Sequence, residues 1–337
     1  MLLLIFHQLL YILRKADISN WELLSATYET PICRRETPTS SLSPRAHSRI
    51  IERVRLLSVE RILRRLIPST ALLSRSLVFT LVFGVVDMVV RPFFRLFTNQ
   101  PLPPLKLIVR TGVGNNIFFP HYYYLTTSVH TWLYFFYRGF ATVDSHIVDI
   151  GSGVGKHAVA LRDFNYMDNE RFRGLYHGFD VDPEMVGWCQ GHFPPAHFRF
   201  TLLDMHSKVY NPRGSKNKPM LRCEDGSIDV VFSQSLFSHL LEEDIRHYMA
   251  ESFRVLKLGG VMSMTFFCIN DLERLQLLGR RWSFRHRIGP AYVEDKNFPE
   301  SAVAYRKEWI LEVARSYGFS DARVILPAKQ STLECVK

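Results

Sequence analysis

From residue 146 onward, short apolar runs alternate with helix-length mixed segments. Runs rich in β-branched and aromatic residues predict strands at 146–150 (HIVDI), 175–181 (LYHGFDV), 198–203 (FRFTLL), 228–234 (IDVVFSQ), 261–267 (VMSMTFF), 322–326 (ARVIL) and 331–336 (STLECV). The first five are separated by segments long enough to cross over, so they predict parallel pairing with helices on both faces. The last two are a few residues apart and predict an antiparallel hairpin at one sheet edge. The expectation is an α/β fold: a doubly wound, seven-stranded sheet of five parallel strands plus that C-terminal hairpin.

Upstream the pattern is different. The opening MLLLIFHQLLYIL, residues 1–13, is too short to span a bilayer and lacks the charged start and clean cleavage site of a signal peptide. TPTSSLSPRAHS reads as a solvated linker. RIIERVRLLSVERILRRLI, residues 49–67, reads as a basic amphipathic helix. LVFTLVFGVVDMVV, residues 77–90, is strongly apolar but short and β-branched, and Asp87 argues against a simple transmembrane helix. Packing on the core and contact with a membrane surface both fit these segments. The prolines of NQPLPPLKL mark a boundary near residue 100. The expected organisation is a helical, basic, partly apolar extension with a Pro-rich linker (1–100), an aromatic helical lead-in or lid (101–145) and a catalytic domain (146–337).

Composition narrows the classes. The formal charge is +10, but residues 1–110 hold 16 Lys+Arg against 7 Asp+Glu, so nearly all the excess is N-terminal. No nucleic-acid partner is expected for the later half, whereas peripheral membrane contact through residues 1–97 fits. The five cysteines show no CxxC pair and no histidine at ligand spacing, so neither a metal nor a disulfide framework is expected. A reducing, cytoplasmic setting follows, with the N-terminal extension as the point of any membrane association.

The candidate chemistry begins at IVDIGSGVGKHAVAL, residues 147–161. Gly151, Gly153 and Gly155 follow the first strand, where a doubly wound sheet places its ligand crevice, and they allow positive φ and close backbone approach. The spacing departs from the GxGxxG of dinucleotide sites, because Lys156 stands where the last glycine belongs. A P-loop is excluded by the absence of a following GK[ST]. Asp180 ends the second strand, where a carboxylate can accept both ribose hydroxyls, and Asp204 follows the third, within reach of an adenine amino group.

This ordered set resembles the class I S-adenosylmethionine-dependent methyltransferases over residues 146–337, and within them the small-molecule bacterial enzymes of the methyltransferase type 11/12 kind. FRVLKLGGVM matches the family's lead into the fifth strand, and FDVDPEMVGWC, YNPRG and SLFSHL carry the closer likeness. The resemblance implies a Rossmann-like fold, S-adenosyl-L-methionine as cofactor and methyl transfer to a small-molecule acceptor. It implies that Asp149 holds the methionine amino group, that Asp180 binds ribose and that Asp204 lies beside adenine. Ser152 in the glycine turn, Val181, Met205 and Ser235 complete the expected cofactor set, with Gln234 a further methionine contact. Ser152 stands in place of a common cysteine, and LKLGG in place of LKPGG.

A hydroxyl or amine acceptor must lose a proton, which calls for a base that titrates near neutrality. His239, after the fourth strand, is the candidate; positioning and structural roles compete with that reading. His157 is expected on a helix surface, and Trp188 and Cys189 in the core. Two insertions, 206–224 and 270–303, are expected to frame the acceptor, the second through Arg280, Arg281, Arg285, His286 and Arg287 interleaved with Trp282 and Phe284. The aromatic run 117–140 is expected either to cover the crevice or to pack in the core. The expected reaction is O-methylation of a small-molecule or sugar-containing acceptor; a catalytically silent scaffold at a membrane and a nicotinamide-dependent oxidoreductase are the alternatives.

Overall fold

The structure, a computed structural model, describes residues 76–96, 98–111, 120–126, 128–163, 170–207, 210–215, 217–279, 282–325 and 329–337. The chain divides into two compact units, 1–68 and 69–337, and all described residues belong to the second. The apolar opening, the linker and the amphipathic stretch 49–67 lie outside the described residues.

Five parallel strands, β1 (His146–Ile150), β2 (Leu175–Asp180), β3 (Phe198–Leu202), β4 (Ile228–Ser233) and β5 (Leu256–Cys268), are ordered 3-2-1-4-5. The register pairs Asp149 with Gly178 on one side and with Phe232 on the other. Order reverses between β1 and β4, so the carboxyl ends of these strands bound the crevice that doubly wound sheets use for ligands. At the far side β10 (Ser331–Val336) runs antiparallel to β5, and β9 (Arg323–Ile325) pairs outside it. The expected seven-stranded sheet is therefore present.

Two features go beyond the expectation. β5 begins at Leu256, because LKLGG is itself extended and a register shift between Ile228 and Val230 absorbs its glycines. A meander of β6 (His286–Ile288), β7 (Ala291–Val293) and β8 (Val303–Tyr305) is added to the end of β5, with Phe267 opposite Ala304 and Cys268 opposite Tyr305. Strands of three residues carry too few positions to show a period of two in the sequence.

Alternation along the central strands assigns the two faces. Val148, Ile150, Val231, Met262 and Met264 face a layer that includes α7 (Glu242–Val255) and α9 (Lys307–Ser316). Ile147, Tyr176, Val230 and Phe232 face the other core, with α5 (Lys156–Asp163) and α6 (Pro183–His192). Burying each such aliphatic or aromatic side chain contributes about 1.5–3 kcal/mol. The upstream helices α1 (Leu77–Arg95), α2 (Leu105–Arg110), α3 (Pro120–Thr126) and α4 (Val129–Tyr137) join this second side. Trp132 and Phe135 of α4 pack edge-on against Phe232 at 5.5 and 5.6 Å, so core packing accounts for much of the aromatic run. α8 (Ile269–Arg274) follows β5 directly.

Candidate active site

The turn after β1 is built from backbone geometry. Gly151, Gly153 and Gly155 all adopt positive φ, at 81°, 53° and 73°. At Gly153 a side chain would be strained, and a Cβ would also stand 2.9 Å from Thr111 Cγ2. The Gly151 and Ser152 N–H groups donate to Phe179 O, at 2.7 and 3.0 Å, which ties the turn to β2. From outside, the Tyr124 hydroxyl donates to Val154 O at 3.1 Å. Ser152 is buried, and its side chain turns down onto Gly178 of β2, where a Cβ would meet its Oγ at 2.8 Å. Any contact from Ser152 to a ligand in the crevice therefore falls to its main chain.

Asp149 lies at the base of this turn, buried. Its Oδ2 accepts from the Tyr176 hydroxyl and stands 3.5 Å from His157 Nδ1, while its Oδ1 has no hydrogen-bond partner. A buried carboxylate oxygen without a donor is costly, which makes Oδ1 a ready acceptor for an ammonium group. His157 is not on the helix surface as expected. It is buried, its carbonyl accepts from Trp132 Nε1 at 2.9 Å, and its ring packs on Phe232. The physical reason is that α4 covers the α5 face that carries it. Burial pushes the His157 imidazole below its ordinary pKa, against the pull of Asp149. Lys156, likewise depressed by burial, donates to Gln234 Oε1 at 3.2 Å, and Gln234 Nε2 donates to Thr131 Oγ1 at 2.9 Å. This link between α5, β4 and α4 could not be read from the sequence beyond the presence of Lys156 next to the glycines.

Asp180 closes β2. Its Oδ2 accepts from Gly153 N–H at 2.7 Å and its Oδ1 from Asp182 N–H at 2.9 Å, so the acid clasps the glycine turn. Burial pushes its carboxyl up to about 6, against the two N–H groups, with Asp182 and Asp149 adding to the rise. Each oxygen keeps a second lone pair for a hydroxyl. Val181 is half-buried against the β5 side of the core. Asp182 caps α6, accepting from Glu184 N–H, and pairs with Arg110 at 2.9 Å in a buried ion pair.

Asp204 follows β3, exposed, and accepts from Ser215 N–H at 3.2 Å. Met205 is half-buried with its sulfur 3.9 Å from the Tyr248 hydroxyl. The first insertion folds back here, His206 N–H donating to Ser215 O at 2.6 Å. Burial, together with the nearby charges of Asp180 and Asp182, pushes Tyr210 up to about 12.

Beyond β4, Ser235 has φ of 63°, rare for a residue with a side chain; its N–H donates to Thr265 Oγ1 and its hydroxyl to Gln330 Oε1, at 2.7 and 2.8 Å. Leu236 lies over Gly151, and a 3₁₀ turn, Phe237–His239, follows. His239 Nδ1 is 2.8 Å from Glu300 O, and a carbonyl only accepts, so Nδ1 carries the proton and Nε2 is the ring's acceptor. Burial lowers its pKa, with the Glu300 and Ser301 carbonyls opposing. Tyr305, at the end of β8 just past the second insertion, likewise donates to Leu240 O at 2.9 Å, so the insertion and the strand that closes it are each tied to the loop after β4.

The basic cluster of that insertion is not interleaved in space. Phe284 is buried and Trp282 packs at a tilt on Phe267, ring centroids 5.0 Å apart, while Arg285, His286 and Arg287 are exposed. Arg280 and Arg281 lie outside the described residues. Trp188 is half-buried and Cys189 fully buried in the core, as expected.

Residues 148–264 match the family model of the methyltransferase domain. The chain carries a class I S-adenosylmethionine-dependent methyltransferase domain. The cofactor of this domain is S-adenosylmethionine. Solved structures similar to the chain include an S-adenosylmethionine-dependent methyltransferase from Methanosarcina mazei, at 18% identity over 60% of this chain and 96% of that one, TM-score 0.41. The magnesium protoporphyrin IX methyltransferase of Synechocystis PCC 6803, solved with bound S-adenosylhomocysteine, is 14% identical over 77% and 99%, TM-score 0.40. A methyltransferase from Aquifex aeolicus is 18% identical over 63% and 90%, TM-score 0.36.

The methyltransferase crevice fits its cofactor on two observations. The orphaned Asp149 Oδ1 suits an ammonium, and the side-chain-free Gly151, Gly153 and Gly155 leave room for close approach.

Proposed function

We propose that the domain methylates an oxygen of a small-molecule or sugar-containing acceptor, with His239 as the general base. Bound S-adenosylmethionine supplies a methyl group on a sulfonium, open to in-line displacement. Asp149 holds the amino group of the methionine end, and the main chain of Gly151, Ser152, Gly153 and Gly155 lines that end, with Ser235 at its far side. Asp180 accepts the ribose hydroxyls, Val181 and Met205 flank the adenine, and Asp204 accepts from its amino group.

The observation that supports an acceptor with a proton to lose, a hydroxyl first, is the tautomer of His239. With Nδ1 committed to Glu300 O and the pKa lowered by burial, the imidazole is neutral at pH 7 and Nε2 is a proton acceptor. A base of this type is required by a hydroxyl acceptor and typically contributes 10²–10⁴-fold. The ties from Glu300 of the second insertion and from Tyr305 just after it to the loop after β4 support an acceptor site on that side.

The test incubates purified protein and labelled S-adenosylmethionine with a metabolite extract and follows label into small molecules. Wild type is expected to label a product as a methyl ether, and His239→Gln to lose about 10²-fold or more in rate while still binding S-adenosylhomocysteine. Full activity in the variant refutes the base assignment. Cofactor binding without label transfer across the extract favours the silent scaffold instead.

A further inference from the structure

α1 is inverted relative to a helix that faces water. Its outward stripe is apolar: Leu77, Leu81, Val85, Met88 and Val89 are 60% or more exposed. Its mid-helix charges turn inward, while Arg95 at the carboxyl end stays exposed. Asp87 Oδ2 accepts from Leu105 N–H at 2.9 Å, and Arg91 donates to Leu102 O at 2.9 Å, while Phe83 and Val86 pack on the core. A solvated surface helix places its charges the other way, and an apolar patch of this length marks a contact with something apolar.

We propose that this face docks on an anionic lipid bilayer, with α1 lying in the plane of the interface. Its nineteen residues, with a mean hydropathy of 2.0 over an 18-residue window, are long enough to cross. The inner flank forbids that, because Asp87 and Arg91 are fixed to residues 102–105 and would carry the edge of the catalytic unit into the hydrocarbon. Lying flat buries the stripe and leaves the inner bonds intact. The charge beside the stripe selects the surface. A cleft of about 400 Å³ at the carboxyl end of α1 is lined by Arg91, Arg95, Asn99, Gln100 and His192, with no carboxylate among its lining residues. Arg95 is exposed there, a donor suited to a headgroup phosphate. Two copies of α1 packed on each other offer these arginines no acid from the helix itself, since its one acid, Asp87, is turned inward.

The experiment floats the full-length chain with phosphatidylcholine vesicles, with and without phosphatidylserine. Wild type is expected to float with the phosphatidylserine vesicles. Leu81→Ser/Val85→Ser/Met88→Ser is expected to bind at least about tenfold more weakly, and Arg95→Glu to lose the preference for phosphatidylserine. Retained S-adenosylhomocysteine binding certifies that each variant is folded. Equal flotation of the triple variant overturns the proposal, assigning lipid binding to other residues. A wild-type dimer that the triple variant converts to monomer, with no flotation, overturns it in favour of self-association.

Discussion

Replacing Asp180 by Asn separates a binding role from a structural one. The carboxyl is raised from 3.8 to about 6. That is about 2 pKa units, so the ionised form costs the fold about 3 kcal/mol above pH 6, and the cost disappears as pH falls through 6 towards 3.8. Asn removes this cost but sets an NH₂ group against one of the two N–H donors, from Gly153 or Asp182, at about 1–3 kcal/mol. The two effects nearly offset, and the melting temperature is expected to move by less than about 8 °C. Cofactor binding has no such compensation. Losing a charged acceptor for ribose hydroxyls costs about 1.5–3 kcal/mol, so the Kd for S-adenosylhomocysteine should rise about 10- to 150-fold by calorimetry at pH 8. Wild-type affinity should weaken below pH 6 as Asp180 protonates, whereas the variant should be flat. An unchanged Kd, or a variant that no longer folds, would refute the reasoning.

Two further outcomes are expected. Gly178→Ala places a Cβ 2.7 Å from Phe200 Cδ1 and 2.8 Å from Ser152, and should cost about 1–3 kcal/mol by urea unfolding while also weakening cofactor binding through the displaced turn; wild-type values for both would contradict the packing. His121 and His177 are each lowered from 6.5 to about 4 by burial, so they are neutral in the fold and charge on unfolding. Stability they support at pH 7 is lost as pH falls from 6.5 through 4, by at most about 3 kcal/mol each, and His121→Gln should flatten that slope in urea titrations at pH 7 and 5.

The strands of the central sheet and the acid at the end of β2 were legible because β-branched runs bounded by glycines and acids leave few other readings. His157 was not, since one histidine does not report which side of a short helix is covered; only α4, a separate segment, decides that. Phe284 and Trp282 read as part of a basic surface cluster because adjacent residues in a loop can point to opposite sides without any period to announce it. Asp87 argued against a simple membrane helix, and the structure supplies a different answer: the charge is directed at the protein and the apolar residues away from it. The polar link through Lys156, Gln234 and Thr131 joins residues up to 103 positions apart, a distance no local pattern spans.

β5 serves two assemblies with one backbone. Along most of its 13 residues it is a member of the central sheet, and its last two, Phe267 and Cys268, found the meander that carries Glu300 and Tyr305 towards the loop after β4. The proposed acceptor side is thus cantilevered from a beam anchored on the side proposed for the cofactor. A replacement lobe could be grafted after Cys268 without altering any strand that meets the cofactor, whereas a single insertion within β5 would misalign both halves of the site together.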